Sequence, residues 1–273
     1  MVLPFTGLSN PSGVAVNGNG YVFVTDTGNN RVVELPTSGS QTVLGFSSLN
    51  APSGVALDQT VVFVGDATTT RELWANTPSY TKTSPPWQTV TSTEFVGPFS
   101  GLQTPRGLID GGNWVYVVDS GNNRVLKWHG GNTPDVVPFT GLNSPDGIAL
   151  TQNNSDVWVA DTGNNRVLRL QTFNQPAPVQ TVLPFTGLTN PHGVALDPNP
   201  HPDGPVLFVA DTGNNRVLKL TINDTTHTAT QSILPFAGLN KPTGVTTDGT
   251  GNLYVVDNGN NRVLKLDKAF AAQ

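Results

Sequence analysis

Two hydrophobic rhythms recur along the chain, and neither has the period of a helix. In the stretch 148–185, "VWVA" (157–160) is continuously apolar, while "RVLRL" (166–170) alternates apolar with polar positions. The first suits a strand buried on both faces, and the second a strand with one polar face. A short run, "IAL" (148–150), precedes them, and "QTVLPF" (180–185) follows. Gly, Asn, Asp and Pro separate the four runs. The pattern predicts four antiparallel strands joined by tight turns.

The same pattern occurs six times. Each copy holds an Asp and an Arg five residues apart: Asp26/Arg31, Asp66/Arg71, Asp119/Arg124, Asp161/Arg166, Asp211/Arg216 and Asp257/Arg262. Upstream of each lies a second signature, F-x-G-L-x-x-P-x-G, as in "FTGLSNPSG" (5–13) and "FTGLTNPHG" (185–193); the copy at 46–54 has Ser for its first Gly. Units of about 45 residues fall in the range of propeller blades. The expected fold is all-β, a six-bladed β-propeller of four-stranded antiparallel blades forming one domain over 1–273. The sixth unit runs out after its third strand, and "VLPF" (2–5) matches "VLPF" (182–185). An N-terminal strand is therefore expected to complete the last blade and close the ring.

A site assembled once would not be repeated along a chain, so "DTGNNR" reads as scaffold. Gly28 is expected at positive φ, Asn29 and Asn30 in left-handed geometry, and Asp26 as an acceptor of backbone N–H groups. Arg31 is expected to pair with that Asp or reach the next blade.

The wording D-x-G-N-N-R-V with G-L-x-x-P-x-G-V-A resembles the NHL repeat, and the resemblance spans essentially the whole chain. The wording "VLPFTGL…P.GVA…DTGNNRVLKL" is similar to extracellular sensor domains of mycobacterial receptor serine/threonine kinases. That resemblance implies a ligand-sensing module on the extracellular or periplasmic side of a membrane. An unidentified envelope ligand or protein would be its partner, and the kinase domain would lie in the parent chain, beyond a tether at the N-terminus.

Composition narrows the chemistry. Charged residues make up only 12% of the chain, and 14 Lys and Arg stand against 19 Asp and Glu, for a net charge of −5. No basic excess exists to grip nucleic acid. Cysteine is absent, which removes disulfides and thiolate metal sites. No apolar run is long enough to span a membrane. Neither a Gly-rich nucleotide loop nor an H-R-D catalytic loop occurs. The chain is expected to be no enzyme and to need no cofactor. The alternative is a lactonase- or lyase-like propeller with an axial metal, which usually needs three or more ligands. Only Asp146 and His192 stand at the predicted mouth; Glu34, Glu72 and Glu94 are not placed there.

If repeated positions build the scaffold, specificity belongs to the positions that differ. The residue between Pro and Gly precedes the innermost strand and should ring the channel mouth. In order it is Ser12, Ser53, Arg106, Asp146, His192 and Thr243. Arg106, Asp146 and His192 would lie on three adjacent blades as a polar ligand site. The second repeat departs most, with "DATTTR" (66–71) and an insertion at 75–95 carrying Tyr80 and Trp87, read as either a contact surface or a cover on the blade. The loops at 171–180, 197–206 and 221–231 should share the opposite face, with His201 and His227 solvated.

Overall fold

The computed structural model describes the chain except residues 59–60, 69–70, 77–93, 132, 152, 173–176, 200, 203 and 269–273. Tyr80 and Trp87 lie outside the described residues. The fold is an all-β propeller of antiparallel blades. In the fourth repeat the strands are Ile148–Leu150, Asp156–Asp161, Arg166–Gln171 and Val179–Val182, paired in sequence order. The second strand, buried at every position, runs through the middle of the blade.

Five sheets have four strands, and the sheet of the sixth repeat has three: Pro242–Thr247, Leu253–Asp257 and Arg262–Leu266. Five complete blades therefore stand where six were expected. The N-terminal residues do reach this sheet, through one isolated antiparallel bridge between Val2 and Leu264. Backbone bonds from Leu3 N–H to the Val263 carbonyl (2.9 Å) and from Lys265 N–H to the Met1 carbonyl (2.8 Å) flank it. Val2 stands two residues ahead of Pro4 as Val182, the last residue of the strand Val179–Val182, stands two ahead of Pro184.

Each apolar core lies between two neighbouring sheets. Trp158, Val167 and Ala149 of the fourth repeat pack against Leu207, Val209 and Val194 of the fifth. Tyr254, Val256 and Val263 of the sixth repeat pack in the same way against Val14, Val22 and Val24 of the first, with Leu3 and Leu8 in the same cluster.

The conserved wording of the repeats explains the joints. At each P-x-G the innermost strands come so close that a side chain on the Gly has no room. A Cβ on Gly147 would lie 2.4 Å from the His192 carbonyl oxygen, and one on Gly193 2.4 Å from that of Thr243. One on Gly244 would lie 2.5 Å from the Ser12 carbonyl oxygen. Gly147 N–H also donates to the His192 carbonyl at 3.0 Å. In the second, third, fifth and sixth repeats the strand starts at the Pro itself. The residue after Pro is then inside the strand rather than ahead of it. A register shift falls just there, between the Pro–Asp pair and the next paired residues, a bulge that re-aims the intervening side chain.

The "DTGNNR" turn is scaffold by its contacts. In the fourth repeat, Asp161 is fully buried. Its Oδ2 accepts from Arg166 Nε at 2.6 Å and Asn164 Nδ2 at 2.8 Å, and its Oδ1 from Asn143 N–H at 2.7 Å. Arg166 and Asn164 both donate to the Gly141 carbonyl at 2.9 Å. Arg166 thus ties its own Asp to the chain entering the repeat. The reach to the next blade comes from Asn165, whose Oδ1 accepts the Asn190 N–H at 2.6 Å. Among the Asn pair only the second is left-handed: Asn165 has φ 53°, as Asn30 has 54°. Gly28 departs from expectation. It sits in a 3-10 turn without positive φ, and its need is space: a Cβ would lie 2.8 Å from the Ser9 carbonyl oxygen, to which Gly28 N–H donates.

Candidate functional site at the axial mouth

Side chains two apart on a strand face the same way, so the residue between Pro and Gly, and those two and four further on, all turn toward the axis. The first tier is Ser12, Ser53, Arg106, Asp146, His192 and Thr243, one from each repeat, and all six line one cavity of about 390 Å³. The next tier is Val14, Val55, Leu108, Ile148, Val194 and Val245, each buried. These six also line a second cavity further along the axis, so an apolar waist separates two chambers.

The six mouth residues are not chemically equivalent. Ser12 donates its hydroxyl to the Ser53 carbonyl at 2.6 Å, and Thr243 donates to the Ser12 carbonyl at 3.0 Å. Ser53 is buried, its hydroxyl shared between the carbonyls of Pro105 (2.5 Å) and Gly65 (3.1 Å). Their protons are committed to joints between strands, so these three shape the mouth and offer only lone pairs to a visitor.

Arg106, Asp146 and His192 come together as expected. His192 Nδ1 lies 2.8 Å from Asp146 Oδ2, and Arg106 Nη1 lies 3.6 Å from the same oxygen. Burial by itself would raise the Asp146 carboxyl. The hydrogen bond from His192 and the charges of His192 and Arg106 outweigh that and hold it below the usual carboxylate range. The carboxylate accepts from Nδ1–H, and His192 Nε2 lies 3.0 Å from Asn190 Nδ2. The neutral tautomer that satisfies both contacts has the proton on Nδ1 and a lone pair on Nε2 facing the Asn190 amide. Asn190 was not legible in the sequence as part of this group; its left-handed φ of 51° brings it back beside His192. Arg106 is the most exposed of the three, its side chain 46% accessible. At 3.6 Å its contact with Asp146 is an ion pair too long for a hydrogen bond, which leaves its N–H donors to the cavity. Among the described residues, no three of His, Asp and Glu converge on a common point where a metal ion would sit.

With fold and mouth in place, the comparisons with known proteins are these. The family model described as "NHL repeat" matches residues 8–35, 142–170 and 239–266, so the chain carries NHL repeats on a β-propeller. No curated protein sequence matches it. Among solved structures, it is similar to catalytically inactive virginiamycin B lyase from Staphylococcus aureus with quinupristin. That likeness is at 16% identity and TM-score 0.65, over 99% of this chain and 85% of that one. A gluconolactonase from Xanthomonas campestris is similar at 15% identity and TM-score 0.67, over 93% of this chain and 84% of that one. A chain of a nidogen/laminin complex is similar at 20% identity and TM-score 0.69, over 88% and 85%.

One expectation is corrected by these likenesses. The flat exclusion of catalysis does not stand, because the fold is shared with a lyase and a lactonase as well as with a chain of a nidogen/laminin complex. At such identities the likeness concerns the fold alone. The narrower resemblance to receptor-kinase sensor domains finds no support among these matches, which reach the NHL repeat and stop there.

Proposed function

We propose that the chain is a ligand-binding propeller whose site is the mouth cavity, and that it serves as a sensor on the extracellular or periplasmic side of a membrane. The observation that carries this reading is the convergence of Arg106, Asp146 and His192 on one concave cavity of about 390 Å³, each from a different repeat. A concave chamber with few, convergent polar groups is the usual form of a small-molecule site. Arg106 supplies donors for an anionic or strongly polar group, and the Asp146–His192 pair, locked by Asn190, supplies oriented acceptor and donor positions. In this reading residues 1–273 form one ring of six units. The joint between last and first units is supported by the Val2–Leu264 bridge, by Asn10 N–H on Asn261 Oδ1 at 2.7 Å, and by the core shared between those units. No helix among the described residues is long and apolar enough to cross a membrane, so anchoring and any kinase domain would belong to sequence beyond the propeller.

Thermal unfolding of the wild type against small anions, sugars and envelope fragments tests the site. A binder at 100 times its Kd adds about 2.7 kcal/mol of stability. The expected result is a ligand-induced shift that Arg106→Ala weakens and an Asp146→Ala/His192→Ala double variant abolishes. A shift unchanged in both variants would overturn the assignment to this mouth.

A further inference from the structure

The chamber on the far side of the waist is about 540 Å³. Its axial tier is Val16, Leu57, Asp110, Leu150, Leu196 and Thr247, four residues beyond the one between Pro and Gly in each repeat. Four of the six are aliphatic, and Thr247 donates its hydroxyl to the Leu196 carbonyl at 2.7 Å. Asp110 is the exception. In the third repeat a carboxylate occupies the place that three other repeats give to Leu.

Its scaffold contact is local, the Gly112 backbone N–H in its own hairpin. Asp110 ends its strand, pairing with Val115 across the hairpin, a backbone role that Leu fulfils elsewhere. Burial pushes its carboxyl up, the Gly112 backbone N–H pulls it back, and the Asp58 carboxylate pushes it up again. Among the described residues, what favours its charge is a single backbone donor, and the neighbouring charge is repulsive. No Lys or Arg is among the described residues lining the chamber. The other carboxylate there, Asp197, is engaged within its own loop by the backbone N–H (2.9 Å) and side-chain Nδ2 (2.7 Å) of Asn199. His201 also lines the chamber. A carboxylate set in an aliphatic wall without a built-in counter-charge favours a cation from solution, and the wall favours an apolar body attached to it.

We propose that this second chamber binds a small organic ammonium ion, its cationic head on Asp110 and its hydrocarbon body against Val16, Leu57, Leu150 and Leu196. The site is independent of the mouth, being separated from it by the apolar waist. Hydrated metal ions fit it less well, because one carboxylate and an aliphatic tier cannot replace a hydration shell.

Calorimetry with cyclohexylmethylammonium and its neutral counterpart cyclohexylmethanol tests this on the wild type, Asp110→Leu and Asp146→Ala. The wild type and Asp146→Ala are expected to bind the ammonium at least tenfold more tightly than the alcohol. Asp110→Leu is expected to lose that preference, while unfolding at higher urea concentration than the wild type because a poorly compensated charge is gone; its urea curve also shows that it folds. Equal binding of ammonium and alcohol by the wild type would overturn the proposal. So would a preference that survives in Asp110→Leu or vanishes in Asp146→Ala.

Discussion

Asp161 shows what the repeated aspartates do. Its carboxylate is fully buried and satisfied by Arg166, Asn164 and the Asn143 N–H, while Arg166 is about one-third exposed. Removing the carboxylate strands a guanidinium and an amide that still face a closed turn. Asp161→Ala is expected to cost about 3 kcal/mol, the usual range for breaking a buried pair, read as a lower urea midpoint. Arg166→Ala should cost less, because Asn164 and the Asn143 N–H still hold the carboxylate. The two together should cost less than their sum, since they act in one network. Glu34 makes the opposite case. It stands across from Phe23, where the fourth repeat pairs Trp158 with Arg169 and the sixth pairs Tyr254 with Lys265. Those cations lie over the facing rings; a carboxylate gains nothing from a ring face. Burial pushes the Glu34 carboxyl up to about 7, against the pull of the Thr42 hydroxyl. Between its ordinary value of 4.5 and about 7 the native state then holds a proton that the unfolded chain has released. Stability therefore falls as pH rises through that window. Glu34→Gln should flatten this fall, leaving the variant more stable than the wild type at pH 8 and little changed at pH 4. Parallel urea curves at the two pH values check it.

At the scale of the element, the strands were legible and the turns only in part. Alternation and apolar runs marked all four strands of the fourth repeat, because a blade's middle strand is buried on both faces and its third on one. The 3-10 turn at Thr162–Asn164 carries no such periodicity, since only three residues form it. Glycine is where sequence reasoning has least purchase: one letter serves two physical needs. Gly101 has φ 66° and open space around its missing Cβ, whereas Gly147 faces the His192 carbonyl at 2.4 Å. Alanine at 101 meets only backbone strain, about 1–2 kcal/mol. Alanine at 147 must push two innermost strands apart, with an expected cost of about 3 kcal/mol or more. The pair is expected to separate clearly in thermal unfolding, and Gly147→Ala should also weaken any ligand held at the mouth, because Gly147 directly follows Asp146 and its N–H bonds the His192 carbonyl. The mouth residues themselves were legible because they are the letters that vary within a fixed frame. Asn190 was not, since its role depends on a left-handed turn that folds it back onto His192.

At the scale of the whole molecule, every inter-sheet joint but one links consecutive repeats; the remaining joint spans the chain from end to end. There the contacts are the Val2–Leu264 bridge, the two flanking backbone bonds and the Thr243 hydroxyl on the Ser12 carbonyl. Asn258 adds a bond from Nδ2 to the Pro11 carbonyl at 2.7 Å. Leu3 is buried with Val263, Val33 and Tyr254 in the core shared by first and last repeats. A solenoid held by nearest neighbours would lose little from one terminal residue, because its ends fray independently. In the ring proposed above the case is different: opening this joint would free both ends at once and expose two inner sheet faces. Leu3→Ala, a loss of about 2–5 kcal/mol for a buried leucine, is therefore expected to lower the midpoint of a single cooperative urea transition. Hydrogen exchange should show Val14–Val16 and Pro242–Thr247 losing protection together in the variant. Exchange that rises only at residues 1–8, with the transition unmoved, would mean that the N-terminal segment merely lies on the sixth sheet and that the propeller is held together without it.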